Sequence, residues 1–216
     1  MIRSLSLWLP VALAFLCTSL PLPAAALSLQ DLHQRFTEAP NLRLSVTGTR
    51  YPAGFGLPLR GSGEMLVARD LGLALSSGFP LEIEGYYDGH EIHYRVGVFK
   101  PQVITSKDTG RRGRNLLYAA LTRALLLADE AAMERLAQVN FRDMGDGSWQ
   151  IELRPTHPEL KKKIKRILAD GGREISHIYI DEQKGAEIRI KLRNRTREPR
   201  ELTPEERARF APGLSR

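Results

Sequence analysis

The chain has 216 residues, and its 32 basic and 25 acidic side chains give a formal net charge of +7 at pH 7. A single cysteine excludes an internal disulfide. The length is enough to bury one good hydrophobic core, and the positive charge indicates attraction to anionic surfaces or simple solubility, without by itself indicating nucleic acid.

The amino terminus has the features of a secretory signal peptide. Arg3 precedes an apolar run over residues 5–20, and the segment ends on Ala24-Ala25-Ala26, the A-x-A pattern of a cleavage site. A membrane anchor is the rival interpretation, but prolines interrupt the run, which favours cleavage. We therefore predict a signal peptide over residues 1–26 and a mature protein that starts at Leu27.

The mature part, residues 27–216, is predicted to form a single domain of 190 residues. Cys17 lies in the removed segment, behind Phe15 and Leu16, which are too bulky for a lipoprotein cleavage site, so the mature protein has no thiol. Arg3 is the only charge removed, which leaves 31 basic and 25 acidic residues and a net charge of +6.

The first half of the mature chain has the pattern of one helix followed by strands. Ser28 and Asp31 form a capping pair ahead of apolar residues at helical spacing, which predicts a helix over residues 29–38. Apolar and polar residues then alternate, with a hairpin turn at Asp88-Gly89. Up to about residue 105 the pattern predicts a meander of antiparallel strands.

Residues 61–75 place an arginine in line with an apolar strand face. As a strand, a turn and a second strand, they put Met65, Val67 and Arg69 on one side. The guanidinium of Arg69 then either reaches out to water from a strand end or serves as a donor inside a hydrophobic concavity. Periodicity alone favours the first of these.

The middle of the chain changes from strand to helix. Residues 108–115 are rich in Gly and Arg and predict a mobile loop, after which Leu117, Leu121 and Leu125 form a wide apolar stripe at helical spacing. Asp129 suits the N-cap of a second helix. These helices either cover a sheet or close a cavity, and the pattern leaves both possibilities open.

Strands return after residue 139, with turns at Asp146-Gly147 and at residues 183–185. The basic run over residues 161–166, KKKIKR, is interrupted by isoleucine and predicts a solvated face rather than a nucleic-acid site. Thr203 and Glu206 have the spacing of a capping box for a short final helix.

The sequence carries no recognisable catalytic or metal-binding set. It has no hydrolase elbow, no H-E-x-x-H motif and no phosphate-binding glycine loop. His90 and His93 stand three apart on a predicted strand and so point to opposite faces, which disfavours shared metal ligation. We therefore expect neither an enzyme nor a bound cofactor or metal.

The segment Val67-Ala68-Arg69-Asp70-Leu71, followed by Pro80 and Asp88-Gly89, resembles the motif of LolA-type periplasmic lipoprotein carriers. The chain has Val46-Thr47-Gly48 where these carriers commonly have Phe-Thr-Gln, and Leu75 where they often have an aromatic residue, so it looks closer to the LolA-related subgroup. The resemblance implies a mainly β fold with some α: a curved antiparallel sheet, or incomplete β-barrel, closed by a helical lid over a hydrophobic cavity. It also implies that Arg69 lines the cavity and holds the lid shut by hydrogen bonding.

From this resemblance we expect a monomeric periplasmic chaperone that carries the acyl chains of a lipoprotein or another lipid from an inner-membrane donor protein to an outer-membrane acceptor, with no nucleic acid involved. The alternative is an envelope protein-interaction module without lipid cargo. The residues predicted to line the cavity and its lid are Arg69, Leu44, Val46, Met65, Val67, Leu73, Leu75, Leu117, Leu121 and Leu125.

Overall fold

The computed structural model describes residues 26–38, 41–54, 56–195 and 201–211. Of the predicted signal peptide, only Ala26 lies inside these ranges, so the rest of that segment and Cys17 fall outside the described residues. Within them, no helix combines the length and the apolar character needed to span a membrane.

The described residues form eleven strands and five helices. The strands are β1 (Asn41–Tyr51), β2 (Leu59–Ala68), β3 (Gly72–Phe79), β4 (Ile83–Tyr87), β5 (Ile92–Val96), β6 (Gln102–Ile104), β7 (Ala137–Asp143), β8 (Trp149–Pro155), β9 (Ile164–Gly171), β10 (Ile175–Glu182) and β11 (Glu187–Asn194). The helices are α1 (Leu29–Glu38), α2 (Gly110–Leu126), α3 (Glu130–Glu134), α4 (Pro158–Lys161) and α5 (Pro204–Ala208).

All of these strands belong to one antiparallel sheet that does not close. Their order is β6-β5-β4-β3-β2-β1-β11-β10-β9-β8-β7, so two meanders stand side by side where β1 pairs with β11. Eight register pairs hold this seam, from Leu44 with Asn194 to Tyr51 with Glu187. The prediction of a mainly β fold, with an open antiparallel sheet and a few helices, is confirmed.

Alternation along the strands gives the sheet two different faces. Val67, Leu73 and Tyr87 lie in one register row across β2, β3 and β4, and all three belong to the main hydrophobic core. Leu32 of α1 and Met133 of α3 are fully buried in the same core. We call the side covered by α1, α2 and α3 the inner face.

The outer face carries a smaller cluster under the chain's last described helix. Leu66, Ala74 and Tyr86 occupy the neighbouring register row and are buried, with Leu202 and Phe210 packed against them. Because side chains of adjacent strand residues point to opposite faces, this cluster lies on the reverse of the main core.

A charged pair ties α5 to the sheet. The predicted capping box is confirmed, since the Thr203 and Glu206 side chains each accept a hydrogen bond from the other residue's backbone N–H. The Glu206 carboxylate also accepts two hydrogen bonds from the Arg43 guanidinium on β1, at 2.6 and 2.7 Å. Bidentate arginine–carboxylate pairs are among the strongest hydrogen-bonded contacts in proteins. The hydrogen bonds from Arg43 to Glu206 raise the pKa of Arg43.

The prediction of a mobile loop over residues 108–115 is wrong, because α2 already begins at Gly110. Asp108 organises this start: its carboxylate accepts a hydrogen bond from the Thr105 backbone N–H at 2.8 Å and pairs with Arg112 at 2.8 Å. The bond from Thr105 and the charge of Arg112 hold the pKa of Asp108 below its usual range. A carboxylate just before a helix stabilises its first turn electrostatically. The Gly and Arg content of residues 108–115 did not reveal these contacts of Asp108, so the helix start was missed.

Arg69 is a turn residue, so the prediction that it shares a strand face with Met65 and Val67 is wrong. β2 ends at Ala68, and the Leu71 N–H donates to the Ala68 carbonyl at 3.3 Å to close a tight turn. Gly72 follows with φ +116°, a backbone conformation that side chains rarely adopt.

Gly72→Ala is expected to cost at least about 3 kcal/mol of unfolding free energy, because a Cβ there would overlap the Tyr87 carbonyl oxygen in addition to straining the backbone. Gly89→Ala is the matched control: its φ is +107° but no atom lies within 4 Å of an added Cβ, so only the backbone term of about 1–3 kcal/mol applies. Urea unfolding of both variants measures the difference, and equal losses would contradict the overlap.

Candidate functional site

An apolar cavity of about 220 Å³ lies between α2 and the inner face of the sheet. It spans the seam between the two meanders, since its walls come from β1 and β2 on one side and from β9, β10 and β11 on the other. Fifteen residues line it: Val46, Met65, Tyr118, Leu121, Thr122, Leu125, Leu126, Ile164, Ile167, Ile178, Ile180, Glu182, Ile188, Ile190 and Leu192.

The cavity can hold an apolar group and offers little to a polar one. Twelve of its fifteen lining residues are Val, Met, Leu or Ile. Its volume exceeds that of an engineered cavity of about 150 Å³ that stays dry and takes up benzene or xenon. It is smaller than the roughly 300–1,000 Å³ of most small-molecule sites, so it matches a short stretch of hydrocarbon.

Small residues on β1 and β2 leave space for this cavity. Gly48 stands two residues after Val46 and therefore shares its face, and it pairs with Ile190 on one side and with Gly61 on the other. A Cβ at Gly48 would have no atom closer than 3.9 Å. Gly48 therefore adds no side chain to the face that carries Val46 and Ile190, two residues of the cavity wall.

One charged cluster stands at the end of the cavity. Glu182 lines the cavity with a side chain that is only 10% exposed, and one of its oxygens accepts hydrogen bonds from Arg50 at 3.0 Å and from Lys163 at 3.3 Å. Burial by itself raises the pKa of Glu182, but the bonds from these two cations outweigh it and hold the pKa below the usual range. The carboxylate is therefore ionised at neutral pH, in a locally cationic setting.

Tyr118 adds a second polar group to the wall. Burial raises the pKa of its phenol, the nearby Arg114 opposes that effect, and the charge of Glu182 adds to it. The phenol therefore stays neutral at physiological pH, and its ring contributes apolar surface to the cavity.

The structure brings four of the predicted site residues together around the cavity: Val46, Met65, Leu121 and Leu125. It places Leu44, Val67 and Leu73 in the filled part of the core and packs Leu117 against that core. Leu75 is exposed on the inner-face side of β3, opposite Met65. Arg69 is exposed in the β2–β3 turn, outside the cavity wall.

Arg69 nevertheless links the β2–β3 turn to α1 and α2, two of the helices that cover the inner face. Its guanidinium donates to the Thr37 carbonyl of α1, and its own carbonyl accepts a hydrogen bond from Arg123 of α2 at 2.9 Å. A ring nitrogen of His33 on α1 lies 2.8 Å from the Leu127 carbonyl at the end of α2. The carboxyl end of α2 is thus held to α1 and to the β2–β3 turn by polar contacts.

Sequence reasoning missed the wall formed by β10 and β11. Ile178, Ile180, Ile188 and Ile190 alternate on those strands and contribute four of the lining residues. Their alternation was visible, but it identifies a face without saying which strands lie next to each other. The pairing of β1 with β11 would have placed them beside Val46.

No family model and no curated protein matches the sequence. Solved structures similar to this chain include a DUF1329 family protein from Desulfovibrio piger, with a TM-score of 0.44 and 10% identity over 79% of this chain and 93% of that one. A LolA superfamily protein from Nitrosomonas europaea has a TM-score of 0.43 and 10% identity, over 82% and 96% of the two chains.

The Mycobacterium tuberculosis lipoprotein LppX has a TM-score of 0.37 and 13% identity, over 80% of this chain and 96% of that one. The structures similar to this chain thus include one LolA superfamily protein. At these identities the likeness concerns the arrangement of strands and helices and does not extend to cargo.

Arg69→Leu keeps the apolar stem and removes the donor to Thr37. Amide hydrogen exchange is expected to speed up several-fold at the end of α1 and in the last turns of α2, because the link between them is loosened locally, while the urea midpoint changes little. Arg60→Leu, which changes an exposed arginine on β2, is the control. Unchanged exchange in Arg69→Leu would leave Arg69 as an ordinary turn residue.

Glu182→Gln is expected to destabilise the protein at pH 7 and to matter less in acid. The folded-state pKa of Glu182 is depressed, so its stabilisation is fully present above the ordinary glutamate pKa of about 4.3 and is lost as the pH falls through the lower folded value. Urea unfolding of both proteins from pH 7 to pH 3 tests this. A difference that stays constant over the whole range would contradict it, and the exposed Glu82→Gln serves as control.

Proposed function

We propose that this protein is a periplasmic carrier that holds an acyl chain of a lipoprotein or another lipid in the cavity beneath α2 and ferries it towards the outer membrane. The observation that carries the proposal is the cavity itself: it is apolar on nearly all sides, and it lies under a single helix. Cargo would come from an inner-membrane donor protein and pass to an outer-membrane acceptor.

Hydrocarbon burial supplies the affinity. Each methylene that leaves water contributes about 0.8 kcal/mol, so a stretch of several methylenes that fills the cavity gains several kcal/mol. No lining residue except Tyr118, Thr122 and Glu182 has a polar side chain, so an acyl chain displaces few hydrogen bonds. A polar ligand would lose more in desolvation than it could recover there.

Longer chains require α2 to move, and its end contacts are compatible with movement. Near its amino end Arg114 lies 3.5 Å from Glu159 of α4, and at its carboxyl end it is held by the contacts of Arg123 and His33. Arg114 and Glu159 form a partly exposed ion pair, which contributes about 0–1 kcal/mol, and the contacts of Arg123 and His33 are single hydrogen bonds to backbone carbonyls. The polar contacts at the two ends of α2 are therefore few, whereas the buried Leu121, Leu125 and Leu126 have to exchange contacts with the core for contacts with the cargo.

The direct test is a displacement titration with a fluorescent fatty acid, on protein that lacks residues 1–26 and without any membrane present. We expect saturable binding that unlabelled fatty acid reverses, and mass spectrometry of lipid that co-purifies with the protein would identify the cargo class. Absence of saturable binding to any acylated probe would overturn the proposal. Recovery of a stable protein partner from delipidated extracts would then favour the interaction module.

Val46→Phe is expected to weaken acyl binding at least tenfold, because the larger side chain occupies the cavity, while the melting temperature changes by only a few degrees. Val139→Phe is the matched control: Val139 also sits on a strand and packs against the main core, but it does not line the cavity. Both variants are measured by the same titration, and equal binding by the two would count against the cavity as the acyl site.

A further inference from the structure

Five connections lie along one edge of the sheet, and we call this edge the rim. The end of β1 lies beside the starts of β2 and β11. The end of β10 lies beside the start of β9. The start of β4 lies between the ends of β3 and β5. The strand-to-strand connections that project there are residues 52–58, of which Phe55 lies outside the described residues, 80–82, 97–101, 156–163 and 183–186.

Exposed apolar side chains concentrate at the rim. Val98 is 99% exposed and Phe99 is 69% exposed, both in the β5–β6 turn, and the Gly97 N–H donates to the Glu82 carbonyl at 2.8 Å, which joins that turn to the β3–β4 connection. Nine large apolar side chains of the described residues are exposed, and six are at the rim: Tyr51, Leu57, Leu59, Leu81, Val98 and Phe99.

The rim is also cationic. Its five connections contain five lysines and two glutamates, Lys100, Lys161, Lys162, Lys163, Lys184, Glu82 and Glu159. Lys161 and Lys184 are exposed. Lys162 shares its charge with Glu159, and Lys163 with Glu182. The apolar tips are thus flanked by an excess of positive charge.

The cavity reaches this same edge. Glu182 is the last residue of β10 and Ile164 the first of β9, and both line the cavity. Gln183 fastens the lysine-rich connection to this end: its N–H donates to the Lys163 carbonyl at 2.8 Å and its side-chain amide to the Lys161 carbonyl at 3.0 Å. Cations and cavity end are held in one fixed arrangement.

We infer that the rim docks on an anionic lipid bilayer, with the apolar turns entering the headgroup region, the lysines contacting lipid phosphates, and the end of the cavity facing the membrane. The inference rests on the proposed function, because a docked rim matters only if an acyl chain passes between bilayer and cavity. It adds a second route beside transfer from the donor protein and to the acceptor protein: the carrier exchanges its cargo directly with the lipid surface.

A bilayer fits this surface better than a folded partner protein does. The apolar side chains sit on the tips of three separate connections rather than in one groove or one flat patch, and a fluid interface adapts to separate tips without matching their shape. Apolar residues beside lysines are the combination that holds peripheral proteins at anionic membranes.

The test is flotation of protein lacking residues 1–26 with vesicles of phosphatidylcholine, with and without about one third phosphatidylglycerol. We expect binding to the anionic vesicles, weaker binding to the neutral ones, and loss in high salt because the headgroup attraction is screened. Phe99→Asp should reduce the partition coefficient at least tenfold. Met144→Asp changes a side chain that is 58% exposed in the β7–β8 turn, on the opposite edge, and should leave binding unchanged.

The contribution of the lysines is tested with one variant and one control variant. Lys184→Gln should lower binding to anionic vesicles about fivefold, the factor for one basic residue near a charged surface. Arg173→Gln removes a cation from the β9–β10 turn at the opposite edge and should have little effect. Equal losses in the two variants would show attraction by net charge alone and would overturn the docked orientation.

Failure of the docking inference is distinguishable from failure of the proposed function. Absence of vesicle binding at any composition, with normal fatty-acid displacement in free solution, overturns docking and leaves acyl carriage standing; a protein partner would then be the occupant of the rim. Displacement that fails while vesicles still bind overturns carriage, and the inference with it.

Discussion

An open sheet with an apolar inner face has to be covered, and here one helix covers most of its centre. A helix with its side chains is about 10–12 Å across, whereas adjacent strands are about 4.7–4.9 Å apart, so α2 can shield only a few of the eleven strands. α1 and α3 extend the cover to one side. The cavity lies between α2 and the sheet, above the seam at which β1 and β11 pair.

Charge placement follows from the same geometry. Glu182 is the one acidic residue among the described residues of the cavity wall, and it stays ionised because Arg50 from β1 and Lys163 from the connection before β9 both donate to it. This cluster links the two meanders at the edge where the cavity ends, so the residues that hold the seam together there also set the electrostatic character of the opening. A buried carboxylate with two donors is tolerated where a lone one would not be.

Much of the fold could be read from local patterns. The hairpin turns at Asp88-Gly89 and Asp146-Gly147, the capping of α1 by Ser28 and the box at Thr203 all depend on residues a few positions apart. The cavity depends on contacts between distant segments, such as Gly48 with Ile190, which no local period encodes. Arg69 combines a local and a long-range feature. The resemblance to a known family led us to expect it near α1 and α2, where it lies. Its place in a turn depends on the backbone conformation at Gly72, which the alternation of apolar residues does not predict.

The seam between β1 and β11 also determines when the cavity can form during synthesis. β1 is made early and β11 much later, so during synthesis the β1 edge that will pair with β11 is still unpaired, a state prone to wrong pairing. Most of the cavity wall on the sheet comes from the second meander, and the first adds Val46 and Met65, so a chain that ends before β9 lacks most of that wall. The cavity is therefore complete only after β1 and β11, the strands furthest apart in the chain, have paired.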